Sequence, residues 1–124
     1  MRMKELDIYK RSKKIVIWMY QLKFPQEETY MLRNQMIRAG HSILLNLCEG
    51  SAYKDKNKNK HYKIALGSAY EVESCLDIYE DVIGKVPKEI TKELDEICRI
   101  IYALSEKNYF LDVHVPAQAT KKGE

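Results

Sequence analysis

Gln35-Met-Ile-Arg-Ala-Gly-His-Ser-Ile-Leu-Leu-Asn-Leu-Cys-Glu-Gly50 carries two lines of side chains at once. Met36, Ala39, Ile43 and Leu47, continuing back to Leu32, recur at steps of three and four, the period of one helical face. Gln35, Arg38, Ser42, Asn46 and Glu49 recur at the same steps, so a polar line runs beside the apolar one. Such a segment is a helix whose buried stripe is flanked by groups that need partners. It spans about residues 27–49, with Glu27 and Glu28 suited to its positive start and Gly50 as the expected stop.

Three more segments follow the same rule. The first, about residues 7–23, places Ile8, Ile15, Met19 and Leu22 on one face, widened by Val16 and Trp18. Asp7 is a candidate cap, and Phe24-Pro25 ends the run because the residue before proline leaves the α region. The third, about residues 57–83, carries Ala65, Ala69, Val72, Leu76, Tyr79 and Ile83, with Asp55, Asn57 or Asn59 as cap and Gly84 as stop. The fourth, from about Pro87 or Lys88 to Lys107, has a well-placed proline at its start and repeats Ile90, Leu94, Ile97, Ile101 and Leu104 in a heptad-like seam. No strand alternation interrupts them. Four amphipathic segments with short links predict an all-α domain over residues 1–110, an antiparallel up-down-up-down four-helix bundle. Residues 111–124, aperiodic and containing Pro116, read as a flexible tail.

Composition agrees. A chain of 124 residues supports one core, and 5 Gly and 3 Pro are too few for a sandwich or barrel. There is no apolar leader at the N-terminus and no run long enough to span a bilayer, so no membrane role and a cytoplasmic location are expected. Cys48, Cys75 and Cys98 form no paired motif and read as reduced thiols packed as small hydrophobes. His41, His61 and His114 stand at no ligand spacing to cysteine or carboxylate, so neither metal nor cofactor is expected.

The net charge of +3 hides a segregated distribution. Residues 1–24 carry +5, 25–50 carry −1, 51–63 carry +4, and 64–84 carry −5, while 85–110 and 111–124 are each neutral. Two basic patches result: Lys10, Arg11, Lys13 and Lys14 on the first helix, and Lys54, Lys56, Lys58, Lys60 and Lys63 around the start of the third. Tyr53, Asn57, Asn59, His61 and Tyr62 are interleaved with the second patch, a mixture able to contact phosphates, sugars or bases. A lysine-rich loop also serves solubility alone. The adjoining acidic block makes the chain a dipole that steers a polyanion.

The polar line Gln35, Arg38, Ser42, Asn46 and Glu49 has counterparts in Ser68 and Glu71 on the third helix. Buried polar groups must pair, and Arg38 with Glu49 or Glu71 is the obvious ion pair. Glu49 and Glu71 as an acid–base couple is the catalytic alternative; no nucleophile with an adjacent histidine accompanies them. Nine tyrosines exceed what one small core holds, which points to a face covered by another subunit.

These motifs resemble a known family. Gln35, Arg38, Ala39, Ser42, Ile43, Asn46, Glu49 and Gly50 fit the pattern Q-x-x-R-A-x-x-S-I-x-x-N-x-x-E-G, and Ala65, Gly67, Ser68 and Glu71 fit A-x-G-S-x-x-E. Both are similar to the four-helix-bundle proteins encoded in intervening sequences of bacterial 23S ribosomal RNA genes. Leu6-Asp-Ile-Tyr-Lys10 and Phe24-Pro25 with Glu28 also look like that family, and the resemblance covers about residues 5–108. Gly40 and Leu47-Cys48 depart from it, where alanine and a smaller pair are common. The resemblance implies a homopentameric ring and no enzymatic activity. It also implies kinship with the accessory variability determinant proteins of diversity-generating retroelements, which bind nucleic acid and a reverse transcriptase. The expectation is therefore a non-enzymatic, homo-oligomeric protein that binds structured RNA or DNA through its two basic patches. The alternative is a protein-interaction scaffold, for instance for a reverse transcriptase.

Overall fold

The periodic runs become helices, and local capping chemistry decides where each begins. The computed structural model describes residues 1–107. Among them stand four α-helices and one 3-10 turn, with no strand: α1 Met3–Tyr20, the turn Glu27–Thr29, α2 Tyr30–Ser51, α3 Lys56–Val82 and α4 Lys88–Ser105. The expected tail at 111–124 and the last three residues of the expected domain lie outside the described residues.

Helix α1 begins four residues before Asp7. The Glu5 carboxylate accepts the Arg2 backbone N–H at 2.9 Å, which satisfies an otherwise orphaned donor of the first turn. It ends at Tyr20 rather than Lys23, and the chain then turns so that Phe24 meets Tyr79 edge-on, ring centroids 5.2 Å apart. Asp55 is the cap of α3, its side chain accepting from the Asn57 N–H at 3.0 Å. Pro87 is the N-cap residue of α4.

Gly50 does not stop α2. The helix continues through Ser51, and no described glycine has a positive φ. Gly50 is instead a close approach: a Cβ there would stand 2.8 Å from Cε1 of Tyr62. Gly84 likewise closes α3 without a left-handed residue, its N–H donating to the Tyr79 carbonyl at 3.2 Å.

The core is the sum of the four stripes. Ile8, Ile15, Val16 and Met19 from α1 and Met36, Ala39, Ile43 and Leu47 from α2 are buried. So are Ala65, Ala69, Val72, Leu76 and Tyr79 from α3, and Leu94, Ile97 and Ile101 from α4. Each large aliphatic buried in this way contributes about 1.5–3 kcal/mol. Cys75 and Cys98 join this core as small hydrophobes, whereas Cys48 is exposed.

α2 and α4 each pack against both α1 and α3, leaving α1 and α3 diagonal to one another. The diagonal helices touch at their starts, where Glu5 meets Lys58 and Tyr62. Asn59 donates to the Lys107 carbonyl at 2.6 Å, so the end of α4 reaches the same place. This end of the molecule holds the lysine-rich segment.

Candidate nucleic-acid interface

Lys10, Lys13 and Lys14 on α1 and Lys54, Lys56, Lys60 and Lys63 around the start of α3 are exposed. Lys54 lies in the link between α2 and α3, and the others stand on the helices away from the buried stripe. α1 and α3 are diagonal to one another, so the two groups of lysines stand on helices that do not pack side by side. Lys63 also approaches Glu106 at 3.5 Å, an exposed pair that leaves its ammonium largely in water.

Two expected contacts prove to be structural. Lys58 is only 3% exposed, and its ammonium donates to the Glu5 carboxylate, which is 2% exposed. Tyr62 Oη donates to the same oxygen at 2.9 Å and Arg2 Nη2 at 3.4 Å. Lys58 is unavailable to a phosphate because it neutralises a buried carboxylate. Burial by itself pushes the Glu5 carboxyl up; the bonds from Lys58, the Arg2 backbone, Tyr62 and the Arg2 side chain outweigh it and hold the pKa down to about 2. Arg11 is half-buried and forks onto Glu93, with Nε at 2.8 Å and Nη2 at 2.7 Å, while Glu96 takes a further bond from Nη2. Bidentate geometry of this kind joins α1 to α4 and removes Arg11 from the free basic surface.

The signal for Glu5 and Lys58 was present in the sequence. Glu5, Ile8, Ser12 and Ile15 step by three, four and three, and Lys58, Tyr62, Ala65 and Ala69 step by four, three and four. Both charges are in phase with an apolar stripe. A charge so placed is buried and needs a partner, and the diagonal helix supplies it.

The polar line lies along the seam between α2 and α3 as a ladder. Gln35 Nε2 donates to Glu71 at 3.4 Å, and Ser68 Oγ donates to Ser42 Oγ at 2.7 Å. Asn46 Nδ2 donates to the Ser42 carbonyl at 2.9 Å, and its Oδ1 lies 3.1 Å from His61 Nδ1. Glu49 Oε1 lies 3.4 Å from the same nitrogen. Arg38 is exposed and makes no ion pair with Glu49 or Glu71, contrary to expectation; Gln35 and His61 take those carboxylates instead. Glu49 and Glu71 have separate partners, with the Ser42–Ser68 contact between them along the ladder.

Gln35, Ser42, Asn46, Glu49, Ser68 and Glu71 of the ladder also carry the sequence motif; His61 joins the ladder from outside the motif, and motif residue Arg38 stands apart from it. A profile of the 23S rRNA-intervening sequence proteins matches residues 4–106. The chain belongs to this family. The crystal structure of a protein of unknown function from the S23 ribosomal protein family of Bacteroides thetaiotaomicron VPI-5482 is similar, with a TM-score of 0.71 and 21% identity over 85% of this chain and 100% of that one. At that identity the likeness is one of fold. No curated protein matches the chain.

In this intervening sequence protein the motif residues therefore link α2 to α3 by hydrogen bonds. Motif residue Gly50 accommodates the Tyr62 ring, and Gly40, where a Cβ would meet Met19 Cε at 2.7 Å, does the same for α1 against α2. Two tyrosines, Tyr62 and Tyr79, are buried; Tyr20, Tyr30, Tyr53, Tyr70 and Tyr102 are exposed, and Tyr109 lies outside the described residues. Exposed aliphatics, among them Ile17, Leu45, Ile64, Ile78 and Val82, stand on the outer faces of α1, α2 and α3. No described helix is long and apolar enough to cross a membrane.

Proposed function

We propose that the chain is a non-enzymatic, cytoplasmic accessory protein that assembles as a homo-oligomer and binds nucleic acid at its basic end. The reading takes the helices as an antiparallel up-down-up-down bundle and the assembly as the homopentameric ring that the family resemblance implies. The observation that carries it is the order of charge along α3. The first turn of α3 holds lysine and no acid, and its last turn holds Glu80 and Asp81 and no base. That is the reverse of what the helix macrodipole favours, at about 0.3–1 kcal/mol per surface charge. Lys58 and Glu80 have structural partners in Glu5 and the Val86 N–H, but the macrodipole does not favour exposed Lys56 at this end, whereas a polyanionic partner does. Lys54, Lys56 and Lys60 are the contacts of choice, with Lys63 beside them and Lys10, Lys13 and Lys14 as a second, separate surface. Repetition of one modest patch around a ring makes it multivalent, and local binding then gains from effective concentration.

The test is anisotropy or filter binding with structured RNA and DNA across a salt series. Binding at low salt that weakens as salt rises is expected, and a folded sample that binds neither overturns the reading. A second reading, a protein-interaction scaffold such as a reverse transcriptase partner, is favoured by the exposed aliphatics and tyrosines. A nuclease-treated pulldown from the native host that retains a protein partner, with no affinity for nucleic acid, selects it.

A further inference from the structure

The lysine-rich end also holds an aromatic pair. Tyr53 and His61 stack with ring centroids 5.4 Å apart and planes only 8° from parallel. His61 is anchored from below, its Nδ1 lying 3.1 Å from Asn46 Oδ1 and 3.4 Å from Glu49 Oε1. Its ring is held by the same ladder that joins α2 to α3, and so it fixes the plane of Tyr53. Tyr53 is 40% exposed, far more than a ring covered on both faces, while the His61 side chain beneath it is 19% exposed. Lys54 follows it directly, and Lys56 and Lys60 are exposed on the next turn. A rigid aromatic plane within a fringe of cations matches an unpaired nucleotide: the base stacks, and the neighbouring phosphates meet ammonium groups. A duplex offers only its backbone here, since its bases are already stacked.

We propose that Tyr53, backed by His61, is a stacking site for an unpaired base of single-stranded nucleic acid, with Lys54, Lys56 and Lys60 on the flanking phosphates. The proposal rests on the nucleic-acid reading above and names its substrate class. It also gives exposed Tyr53, which stands directly before Lys54, a role that solubility alone does not require.

The experiment measures affinity at low salt for two strands of equal length, oligothymidylate and the abasic deoxyribose-phosphate strand. Phosphates are the same in both, and only the first can stack. The wild type should bind oligothymidylate about five- to a hundredfold more tightly than the abasic strand. Tyr53→Phe should retain that ratio. Tyr53→Ala should bring it close to one while leaving abasic binding unchanged. Should Tyr53→Ala fail to fold by circular dichroism, Tyr53→Leu keeps apolar cover over His61 without an aromatic plane and should lose the ratio equally. A ratio unaffected by Tyr53→Ala or Tyr53→Leu overturns the stacking site. Equal binding of both strands by the wild type overturns it while leaving the nucleic-acid reading intact. A wild type that binds neither of these strands, structured RNA nor DNA overturns both readings.

Discussion

Replacing Lys58 with methionine keeps a long side chain but removes the ammonium from a site 3% exposed. Glu5, also buried, is then left with Tyr62 and Arg2 as donors. Its carboxyl, held at about 2 against an ordinary 4.5, reports how much the folded state favours the charged form. At about 1.4 kcal/mol per pH unit, that displacement corresponds to about 3 kcal/mol. Removing one member of a buried ion pair typically costs about 3–5 kcal/mol, because the remaining charge stays desolvated. Lys58→Met should therefore lose about 3 kcal/mol at neutral pH, lowering the urea midpoint by roughly 1.5–2 M at an ordinary slope. Lys56→Met, two residues earlier and exposed, should change stability by no more than about 0.5 kcal/mol. The pH dependence adds a second check. The folded-state pKa of Glu5 lies below its unfolded value, so its contribution is complete above about 4.5 and is lost as pH falls from there to about 2. The gap between wild type and Lys58→Met should narrow over that window. Urea melts at fixed protein concentration, at neutral pH and at several acidic values, measure both. If Lys58→Met is as stable as Lys56→Met, or if the gap is indifferent to acid, Glu5 and Lys58 are not the coupled buried pair described here.

The glycines make a graded series for thermal melts. Gly50→Ala drives a Cβ to 2.8 Å from the buried Tyr62 ring and should destabilise by about 1–3 kcal/mol; Gly40→Ala should be milder because the Met19 terminus can swing aside; Gly67→Ala, with nothing within 4 Å, should stabilise by about 0.5–1 kcal/mol. Equal effects at all three would refute the close approach at Gly50. Lys54, Lys56 and Lys60 changed together to Ser should weaken nucleic-acid binding and reduce the salt slope by about 2–3, whereas an unchanged slope moves the site elsewhere. In the native protein, burial, then Glu73 and Asp95, push the Cys98 thiol up to about 12, and burial raises Cys75 as well. Iodoacetamide at mildly alkaline pH should modify exposed Cys48 first, and equal labelling of Cys98 by mass spectrometry would contradict its burial. Light scattering should return a mass several times 14.6 kDa; a clean monomer removes the ring and the multivalency drawn from it.

Helical period alone was enough to place the four helices and nearly all of the core, because a side chain's angular position on a helix follows from its number in the chain. Met36, Ala39, Ile43 and Leu47 are buried as their spacing requires, and the polar line of Gln35, Ser42, Asn46 and Glu49 does lie along one seam. Charge segregation was equally legible, since it is a property of order along the chain. Which charges remain free was a matter for the tertiary structure. Lys58 is in phase with the apolar stripe and Lys60 is not, but only the fold shows that the partner of Lys58 is Glu5, on a diagonal helix fifty-three residues away. Arg11 is withdrawn from the surface by Glu93 and Glu96, and Arg38 loses both expected carboxylates to Gln35 and His61. Gly50 reads as a helix stop until Tyr62 is brought against it. Pairing across helices depends on which faces meet and at what height, and those are set by packing of the whole core, so only the folded chain decides which lysines can reach a partner.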